Sequence, residues 1–79
     1  MSEHIGISRD GAVQAIRMNR PDKKNAITRA MYAAMAQALT EGDADDAVRV
    51  HLILGVPGAF SSGNDLADFM AVATGGEHG

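Results

Sequence analysis

The pattern of apolar and turn residues predicts an α/β fold, in which strands and helices alternate along the chain. Three observations support this prediction: a hairpin pattern in the first 18 residues, an amphipathic helical stretch from Arg29, and an apolar strand at Val48–Leu54. A strand, a crossover helix and a following parallel strand form a βαβ unit. Since the chain has only 79 residues, we expect this unit to be incomplete as a domain.

Two short strands are predicted near the amino-terminus. Ile5 and Ile7 begin the first strand, and residues 12–18 alternate in the manner of a second. The Asp10-Gly11 pair between them is a common signal for a tight hairpin turn. Because two strands are not stable alone, we expect the hairpin to pack against the rest of the chain.

The central segment predicts a helix that begins after Thr28. The Thr28 hydroxyl can accept a hydrogen bond from a first-turn amide. Apolar residues then recur at spacings of three and four as far as Leu39. We expect the helix to end at Gly42, because glycine adopts the left-handed conformation at low cost.

The segment after this helix predicts a buried strand and a second helix. The apolar carboxyl half of Val48–Leu54 indicates burial on both faces, as in a parallel sheet. A second helix is expected from about Asp65. The folded part is expected to span residues 1–73, followed by a flexible tail at 74–79 that is polar and rich in glycine.

Composition disfavours several classes of function. The net charge of −3 disfavours nucleic-acid binding, and the absence of Cys excludes a disulfide framework and a thiolate metal site. His4, His51 and His78 lie far apart, so no metal site is expected. No apolar run reaches the length of a bilayer span, and the first residues lack the features of a secretory signal. We therefore expect a cytoplasmic protein without membrane contact.

The turn at residues 60–66 is the candidate site that the residues themselves indicate. It follows a buried strand and opens a helix, which is where α/β folds usually bind ligands. Gly63 permits a tight turn and close approach to a ligand, and free amides at a helix start suit an anion or an oxyanion. Many such turns are glycine-rich for backbone reasons alone, so both interpretations stay open.

Two segments, 19–27 and 60–66, carry a resemblance to a known family. They read Asn-Arg-Pro-Asp-Lys-Lys-Asn-Ala-Ile and Phe-Ser-Ser-Gly-Asn-Asp-Leu, and they bracket a helix and a strand. Their order and approximate spacing resemble the amino-terminal segment of the crotonase superfamily, the enoyl-CoA hydratase/isomerase family. The resemblance covers nearly the whole chain. It implies the first ββα and βα units of a crotonase-like spiral.

The resemblance implies binding of an acyl-CoA thioester, with coenzyme A as part of the substrate and no separate cofactor. The catalytic group it implies is the backbone N–H of Asn64, one of two donors to the thioester oxygen. The substrate-binding residues that it implies lie in the same two segments: Lys24, Asn25, Ala26, Ser62, Gly63, Asn64, Asp65 and Leu66. It also implies a homo-oligomer, a trimer or a hexamer.

Two reactions fit the implied chemistry. Polarising the thioester carbonyl allows hydration of a 2-enoyl-CoA, and it also allows loss of an α-proton in a Δ3,Δ2-enoyl-CoA isomerase. At residues 63–66 the chain reads Gly-Asn-Asp-Leu, which resembles some of these isomerases more than it resembles the commoner Gly-Ala-Asp form. The sequence leaves the choice between them open.

The carboxylates of this chain are poor candidates for the family's acid and base, which lie beyond the equivalent of Gly79. Asp65 is expected to cap the second helix and Asp68 to lie in its first turn. Without a visible base, a rival hypothesis is a non-catalytic fragment or assembly module with an exposed apolar patch on its strands.

The remaining polar and sulfur-containing residues each have two interpretations. Lys24 and Arg29, in a basic cluster with Arg20 and Lys23, could contact the phosphates of coenzyme A or could be solvated. We expect His51 to be packed or hydrogen-bonded rather than catalytic. Four methionines are expected to fill the core, with one or two of them lining an acyl pocket as the alternative; they are Met18, Met31, Met35 and Met70.

Overall fold

The computed structural model describes residues 3–74. Its elements are β1 (Ile5–Asp10), β2 (Val13–Met18), a short 3-10 helix (Pro21–Lys23), α1 (Arg29–Asp43), β3 (Val50–Leu54) and α2 (Leu66–Thr74). The sheet has the order β1-β2-β3, with β1 antiparallel and β3 parallel to β2. The predicted α/β class and the crossover through α1 are therefore confirmed. The predicted tail at 74–79 lies outside the described residues except for Thr74, which ends α2.

The hairpin forms with its turn one residue later than the sequence indicated. Ile5 pairs with Met18 at one end of the ladder and Asp10 pairs with Val13 at the other. The two turn residues are consequently Gly11 and the alanine after it, not Asp10 and Gly11. Only Gly11 has a positive φ, of 60°.

The core lies between α1 and one face of the sheet. β2 directs Gln14, Ile16 and Met18 towards this layer, and Ile16 and Met18 are almost completely buried. Burying an aliphatic or methionine side chain stabilises the fold by about 1.5–3 kcal/mol. The buried apolar residues are Ile5, Ile16, Met18, Met31, Ala34, Met35 and Ala38.

Helix α1 begins as predicted and ends differently. The Thr28 hydroxyl accepts a hydrogen bond from the Met31 N–H at 3.1 Å, which caps the first turn. At the other end the helix continues through Gly42 to Asp43, and its C-cap, Ala44, has an ordinary right-handed conformation. The expectation that Gly42 ends the helix in a left-handed conformation is wrong.

Gly42 is required by packing instead. It is buried, and a Cβ atom at this position would contact Cε1 of His51 and lie 2.9 Å from Nε2 of Gln14. The imidazole of His51 cannot move away easily, because Nε2 lies 3.1 Å from Oδ1 of Asp43 and Nδ1 lies 3.3 Å from the Gln14 amide nitrogen. The same Gln14 amide donates to the Ala38 carbonyl at 2.9 Å. His51 is thus hydrogen-bonded, as expected.

The second face of the sheet stays open in the part of the chain that the structure describes. Val50 and Leu52 of β3 are 50% and 45% exposed, and no fourth strand pairs with β3 within residues 3–74. The prediction that this strand is buried on both faces is therefore wrong for the described chain: even Ile53, which lies on the side of the sheet that faces α1, is 40% exposed. Met70 is also exposed, so of the four methionines expected in the core only the other three are buried.

Replacing Gly42 by alanine tests the packing of α1 against β3. We expect Gly42→Ala to lower the free energy of unfolding by about 1–3 kcal/mol, since the new methyl group must displace the His51 ring. Urea unfolding followed by circular dichroism measures this. The matched control is Gly6→Ala, because a Cβ at Gly6 meets nothing within 4 Å. Equal stability of the two variants would contradict the packing argument.

Candidate functional site

Two loops meet at one edge of the sheet. The first loop, residues 19–28, connects β2 to α1, and the second loop, residues 55–65, connects β3 to α2. Each loop leaves from the carboxyl end of its strand, and because β2 and β3 are parallel these two ends lie at the same edge of the sheet. The structure brings together all the site residues that the sequence predicted, since they lie on these loops or, in the case of Leu66, at the first position of α2.

Asn25 ties the two loops together from the inside. Its side chain is fully buried, and its backbone has a left-handed φ of 57°, which asparagine tolerates. Its Oδ1 accepts a hydrogen bond from the Arg20 N–H at 2.6 Å. Its Nδ2 donates to the Met18 carbonyl at 3.1 Å and to the Phe60 carbonyl at 2.9 Å. The carboxamide is therefore used in holding the two loops together, and a contact between Asn25 and a ligand stays a prediction.

Serine hydroxyls add a second set of links between the loops. The Ser61 hydroxyl donates to the Asn25 carbonyl at 2.9 Å and accepts from the Gly63 N–H at 3.0 Å. The Ser62 hydroxyl lies 3.4 Å from the Lys23 carbonyl oxygen and is exposed. The backbone of the second loop is thus fixed just before it reaches Asn64.

A short parallel bridge joins Ile27 to the second loop. The Ile27 N–H donates to the Gly63 carbonyl at 2.8 Å, and the Asp65 N–H donates to the Ile27 carbonyl at 2.9 Å. In a planar trans peptide the C=O and N–H groups point in opposite directions. The Asn64 N–H, which shares its peptide unit with the Gly63 carbonyl, therefore points away from Ile27. Within residues 3–74 it has no hydrogen-bond acceptor, and Asn64 is exposed.

Gly63 supplies the backbone conformation that this arrangement needs. Its φ of 98° lies in the region that side chains rarely adopt. A Cβ atom there would meet nothing within 4 Å. The requirement for glycine thus comes from the turn itself, which directs the next amide outward.

Arg20 and Asp65 form an ion pair behind the turn. Nη1 of Arg20 donates to Oδ2 of Asp65 at 2.6 Å and to the Ala26 carbonyl at 3.0 Å. Oδ1 of Asp65 accepts from the Asp68 N–H at 2.9 Å, so Asp65 caps α2 as predicted. The hydrogen bond from Arg20, and then that from Asp68, lower the pKa of the Asp65 carboxyl. Asp65 is consequently an ionised acceptor near neutral pH and has no proton to give.

Asp68 is occupied in the same way. Its Oδ2 accepts from the Arg29 backbone N–H at 2.8 Å and from Nε of Arg29 at 3.2 Å. The backbone hydrogen bond is the main cause of the lowered pKa of Asp68. Among residues 3–74, in contrast, the Lys24 ammonium has no hydrogen bond or ion pair, so of the two cations considered for a phosphate contact Lys24 is the more available.

Tyr32 is a site residue that the sequence did not single out. It lies in the first turns of α1, and its hydroxyl donates to Oδ1 of Asn64. Its ring packs edge-to-face on Phe69 of α2, with centroids 6.3 Å apart and an interplanar angle of 77°. The sequence feature that could have identified Tyr32 is its position one turn after the Thr28 cap, in a chain with only three aromatic residues.

Two further features were searched for in the described part of the chain: clusters of metal-ligating side chains and membrane-spanning helices. Within residues 3–74, no group of three or more His, Asp or Glu side chains could hold a metal ion. None of the helices in this range is long and apolar enough to cross a bilayer.

Two features define the class to which this protein belongs. One is the strand-helix-strand unit, and the other is a backbone N–H just before the next helix that has no hydrogen-bond acceptor within residues 3–74. A model of the family described as enoyl-CoA hydratase/isomerase matches residues 8–77. The chain belongs to the enoyl-CoA hydratase/isomerase family, the crotonase family, as the resemblance indicated.

Relatives of the chain are substantially longer. Enoyl-CoA delta isomerase 2 of Rattus norvegicus is 40% identical over 76 residues, which is 96% of this chain and 19% of that protein. The chain thus spans about a fifth of the length of this curated relative.

Solved structures show the same relation. A putative enoyl-CoA hydratase/carnithine racemase from Magnetospirillum magneticum AMB-1 is 57% identical with a TM-score of 0.84, covering 89% of this chain and 28% of its own. A putative enoyl-CoA hydratase/isomerase from Acinetobacter baumannii is 34% identical with a TM-score of 0.89, covering all of this chain and 32% of its own. The fold matches the amino-terminal part of these structures.

The lowered pKa of Asp65 makes stability depend on pH. The folded state favours the charged carboxylate, so the unfolded state binds more protons in acid. The stabilisation is complete above the ordinary carboxyl pKa of 3.8 and is lost as the pH falls through the lower pKa of the folded state. We expect the free energy of unfolding in urea to fall below about pH 4, and to fall less in Asp65→Asn.

The control for this experiment is Asp22→Asn, which removes an exposed carboxylate without a hydrogen-bond partner among residues 3–74. It should keep the acid dependence of the unchanged chain. The argument fails if Asp65→Asn loses stability in acid as steeply as the unchanged chain does.

Proposed function

We propose that this chain binds an acyl-CoA thioester and that the Asn64 N–H is one of two donors to the thioester oxygen during hydration of a 2-enoyl-CoA. The observation that carries the proposal is the state of this amide. It is exposed, it lacks an acceptor among residues 3–74, and the bridge from Ile27 to the Gly63 carbonyl fixes its direction. Membership of the enoyl-CoA hydratase/isomerase family supplies the substrate class.

The reaction needs such a donor. Addition of water to a double bond conjugated with a thioester places negative charge on the thioester oxygen. A preorganised amide stabilises that charge without reorganisation, and the loss of one oxyanion donor typically costs roughly 10²–10³ in rate. Helix α2 begins two residues after Asn64, at Leu66, so the positive end of the helix dipole adds to the favourable potential.

The surrounding residues have distinct roles in the proposal. Lys24 would contact a phosphate of coenzyme A; the exposure of this residue and the absence of an ion-pair partner among residues 3–74 support this role. Ala26 and Ser62 would line the path of the pantetheine, and the exposed side chain of Leu66 would contact the acyl group. Asp65 acts through the ion pair that holds the turn. Coenzyme A enters as part of the substrate.

Proton transfer is assigned to a group other than the described carboxylates near the turn. Asp65 and Asp68 are both ion-paired to arginines. Their lowered pKa values make them weak bases at neutral pH. We therefore assign the acid/base role to neither of these two carboxylates and propose that the group lies outside residues 3–74, with this segment binding and polarising the thioester.

Isomerisation of a Δ3-enoyl-CoA to its Δ2 isomer is the second candidate reaction. The relative from Rattus norvegicus that is 40% identical is named Enoyl-CoA delta isomerase 2. The same amide would stabilise the dienolate that forms when an α-proton leaves. Assays with 3-enoyl-CoA and 2-enoyl-CoA substrates on protein that contains the acid/base group separate the two reactions.

A non-catalytic assembly module is the candidate from another class. Within residues 3–74 the sheet face with Val50 and Leu52 is open and the outer edge of β3 is unpaired, which favours association with another polypeptide. A homo-oligomer, trimeric or hexameric, remains a prediction from the family, and a cytoplasmic location remains a prediction from the sequence. Sedimentation equilibrium measures the assembly, and acyl-CoA binding separates this candidate from the first.

Replacing Gly63 by valine tests the oxyanion assignment. Valine cannot keep a φ of 98°, so the turn must change and the Asn64 N–H must tilt. We expect Gly63→Val to weaken binding of crotonyl-CoA by about fivefold or more, since one hydrogen bond is lost, while binding of free coenzyme A is retained. Isothermal titration calorimetry with both ligands measures this.

The matched control is Gly11→Val, which introduces valine at another positive φ, of 60°, in the hairpin turn. It should leave the affinity for crotonyl-CoA unchanged. If Gly63→Val binds crotonyl-CoA as tightly as Gly11→Val does, Asn64 is not the donor.

A further inference from the structure

We infer that Tyr32 is a positioning residue that holds the Asn64 N–H in the direction a thioester oxygen requires. The inference rests on the proposed role of Asn64 as an oxyanion donor. It goes beyond that proposal by assigning a function to the side chain of a residue on α1, which lies outside both loops.

The Asn64 backbone has two fixed points. The first is the bridge to Ile27, whose N–H donates to the Gly63 carbonyl at 2.8 Å and whose carbonyl accepts from the Asp65 N–H at 2.9 Å; it sets the direction of the Asn64 N–H. On an exposed turn the bridge alone leaves the residue between these two bonds able to rock. The second fixed point is the Asn64 side chain, whose Oδ1 accepts from the Tyr32 hydroxyl. This bond restrains the Asn64 Cα, to which the amide nitrogen is bonded, and so narrows the range of directions that the N–H can take.

Tyr32 is well suited to provide the second point, because it is itself anchored. Its backbone N–H donates to the Thr28 carbonyl at 3.0 Å within the capped first turn of α1. Its ring packs on Phe69 at a centroid distance of 6.3 Å. The phenol oxygen is thus held by both helices that flank the site, whereas the exposed Asn64 carboxamide has no other hydrogen-bond partner within residues 3–74.

The chemistry depends on this precision. Catalytic donors act when they are held within roughly 0.5 Å and 10–20° of the productive geometry. An amide on an exposed turn has that precision only if neighbouring groups restrict it. Asn64 therefore contributes twice: its backbone donates to the substrate and its side chain receives the restraint.

The experiment uses crotonyl-CoA labelled with ¹³C at the carbonyl and follows the carbonyl stretch by difference infrared spectroscopy. Bound to the unchanged chain, the stretch should move to lower frequency, because hydrogen bonding polarises the carbonyl. In Tyr32→Phe we expect a smaller shift and an affinity for crotonyl-CoA about fivefold lower, with the affinity for free coenzyme A retained. A merely structural role of Tyr32 would not change the frequency of the bound carbonyl.

Two further variants complete the design. Asn64→Ala removes the acceptor of the Tyr32 hydrogen bond and keeps the backbone N–H, so it should reproduce the effect of Tyr32→Phe. The double variant should show no additional loss, because both changes break the same bond. Thr40→Val removes a hydroxyl from the far end of α1 and should behave as the unchanged chain does.

The outcomes separate this inference from the proposal on which it rests. If the unchanged chain shows no carbonyl shift, Asn64 is not an oxyanion donor and both fail. If the unchanged chain shows the shift and Tyr32→Phe shows it in full, the role of Asn64 stands and that of Tyr32 is overturned. Should Tyr32→Phe fail to fold, Asn64→Ala leaves the Tyr32 ring in place and is judged by the same criterion.

Discussion

The parallel bridge between Ile27 and the second loop is the interaction on which the rest of the site depends. It joins two loops that are far apart in sequence, and it does so through backbone groups on both sides. By occupying the Gly63 carbonyl and the Asp65 N–H, it leaves the Asn64 N–H between them facing outward. The buried Asn25 carboxamide supports the bridge, because it bonds to the carbonyl of Met18 at the end of β2 and to the carbonyl of Phe60 in the middle of the second loop.

The two carboxylates near the start of α2 are each paired with an arginine, which limits their repulsion of an anion at the Asn64 N–H. Acidic residues at the start of a helix stabilise the helix, but free carboxylates there would repel an oxygen that gains negative charge. Arg20 pairs with Asp65, and Arg29 pairs with Asp68. Each carboxylate thus caps or anchors the helix start while an arginine balances its charge, so the potential at the Asn64 N–H stays favourable to an anion.

Much of the fold could be predicted from local patterns. The Thr28 cap, the apolar spacing of α1 and the parallel β3 are encoded in short stretches of sequence, and all three are present in the structure. Apart from the hairpin turn, which forms one residue later than predicted, the wrong predictions concern long-range packing. Gly42 was predicted to end α1. The structure shows instead that glycine is needed there because the His51 ring of β3 packs against it and leaves no room for a Cβ atom.

The burial of β3 was overestimated for a related reason. Its apolar run is typical of a strand covered on both sides, whereas within residues 3–74 α1 packs mainly on β1 and β2 and leaves apolar residues on both faces of β3 exposed. The family's longer members contain three to five times as much chain. An apolar pattern reports what a strand can bury, and the sequence of the strand alone does not say which element buries it.

The site was predictable at the level of the segments and less so at the level of contacts. The two loop sequences were predicted to form one site, and the structure places both loops at the same edge of the sheet; thioester binding there stays a prediction. The hydrogen bond from Tyr32 to Asn64 could not be found in the same way, because it depends on the angle between α1 and α2. Likewise, the sequence placed Asn25 on the ligand side, while the structure uses its side chain as an internal link between the loops.

The most direct test of the central claim is to follow the Asn64 amide in ¹H–¹⁵N NMR spectra while the chain is titrated with crotonyl-CoA and, separately, with free coenzyme A. A new hydrogen bond to the thioester oxygen should move the Asn64 amide proton downfield with crotonyl-CoA and leave it unmoved with coenzyme A. An Asn64 amide that does not respond to crotonyl-CoA, or that responds equally to both ligands, would contradict the assignment of this N–H as the donor.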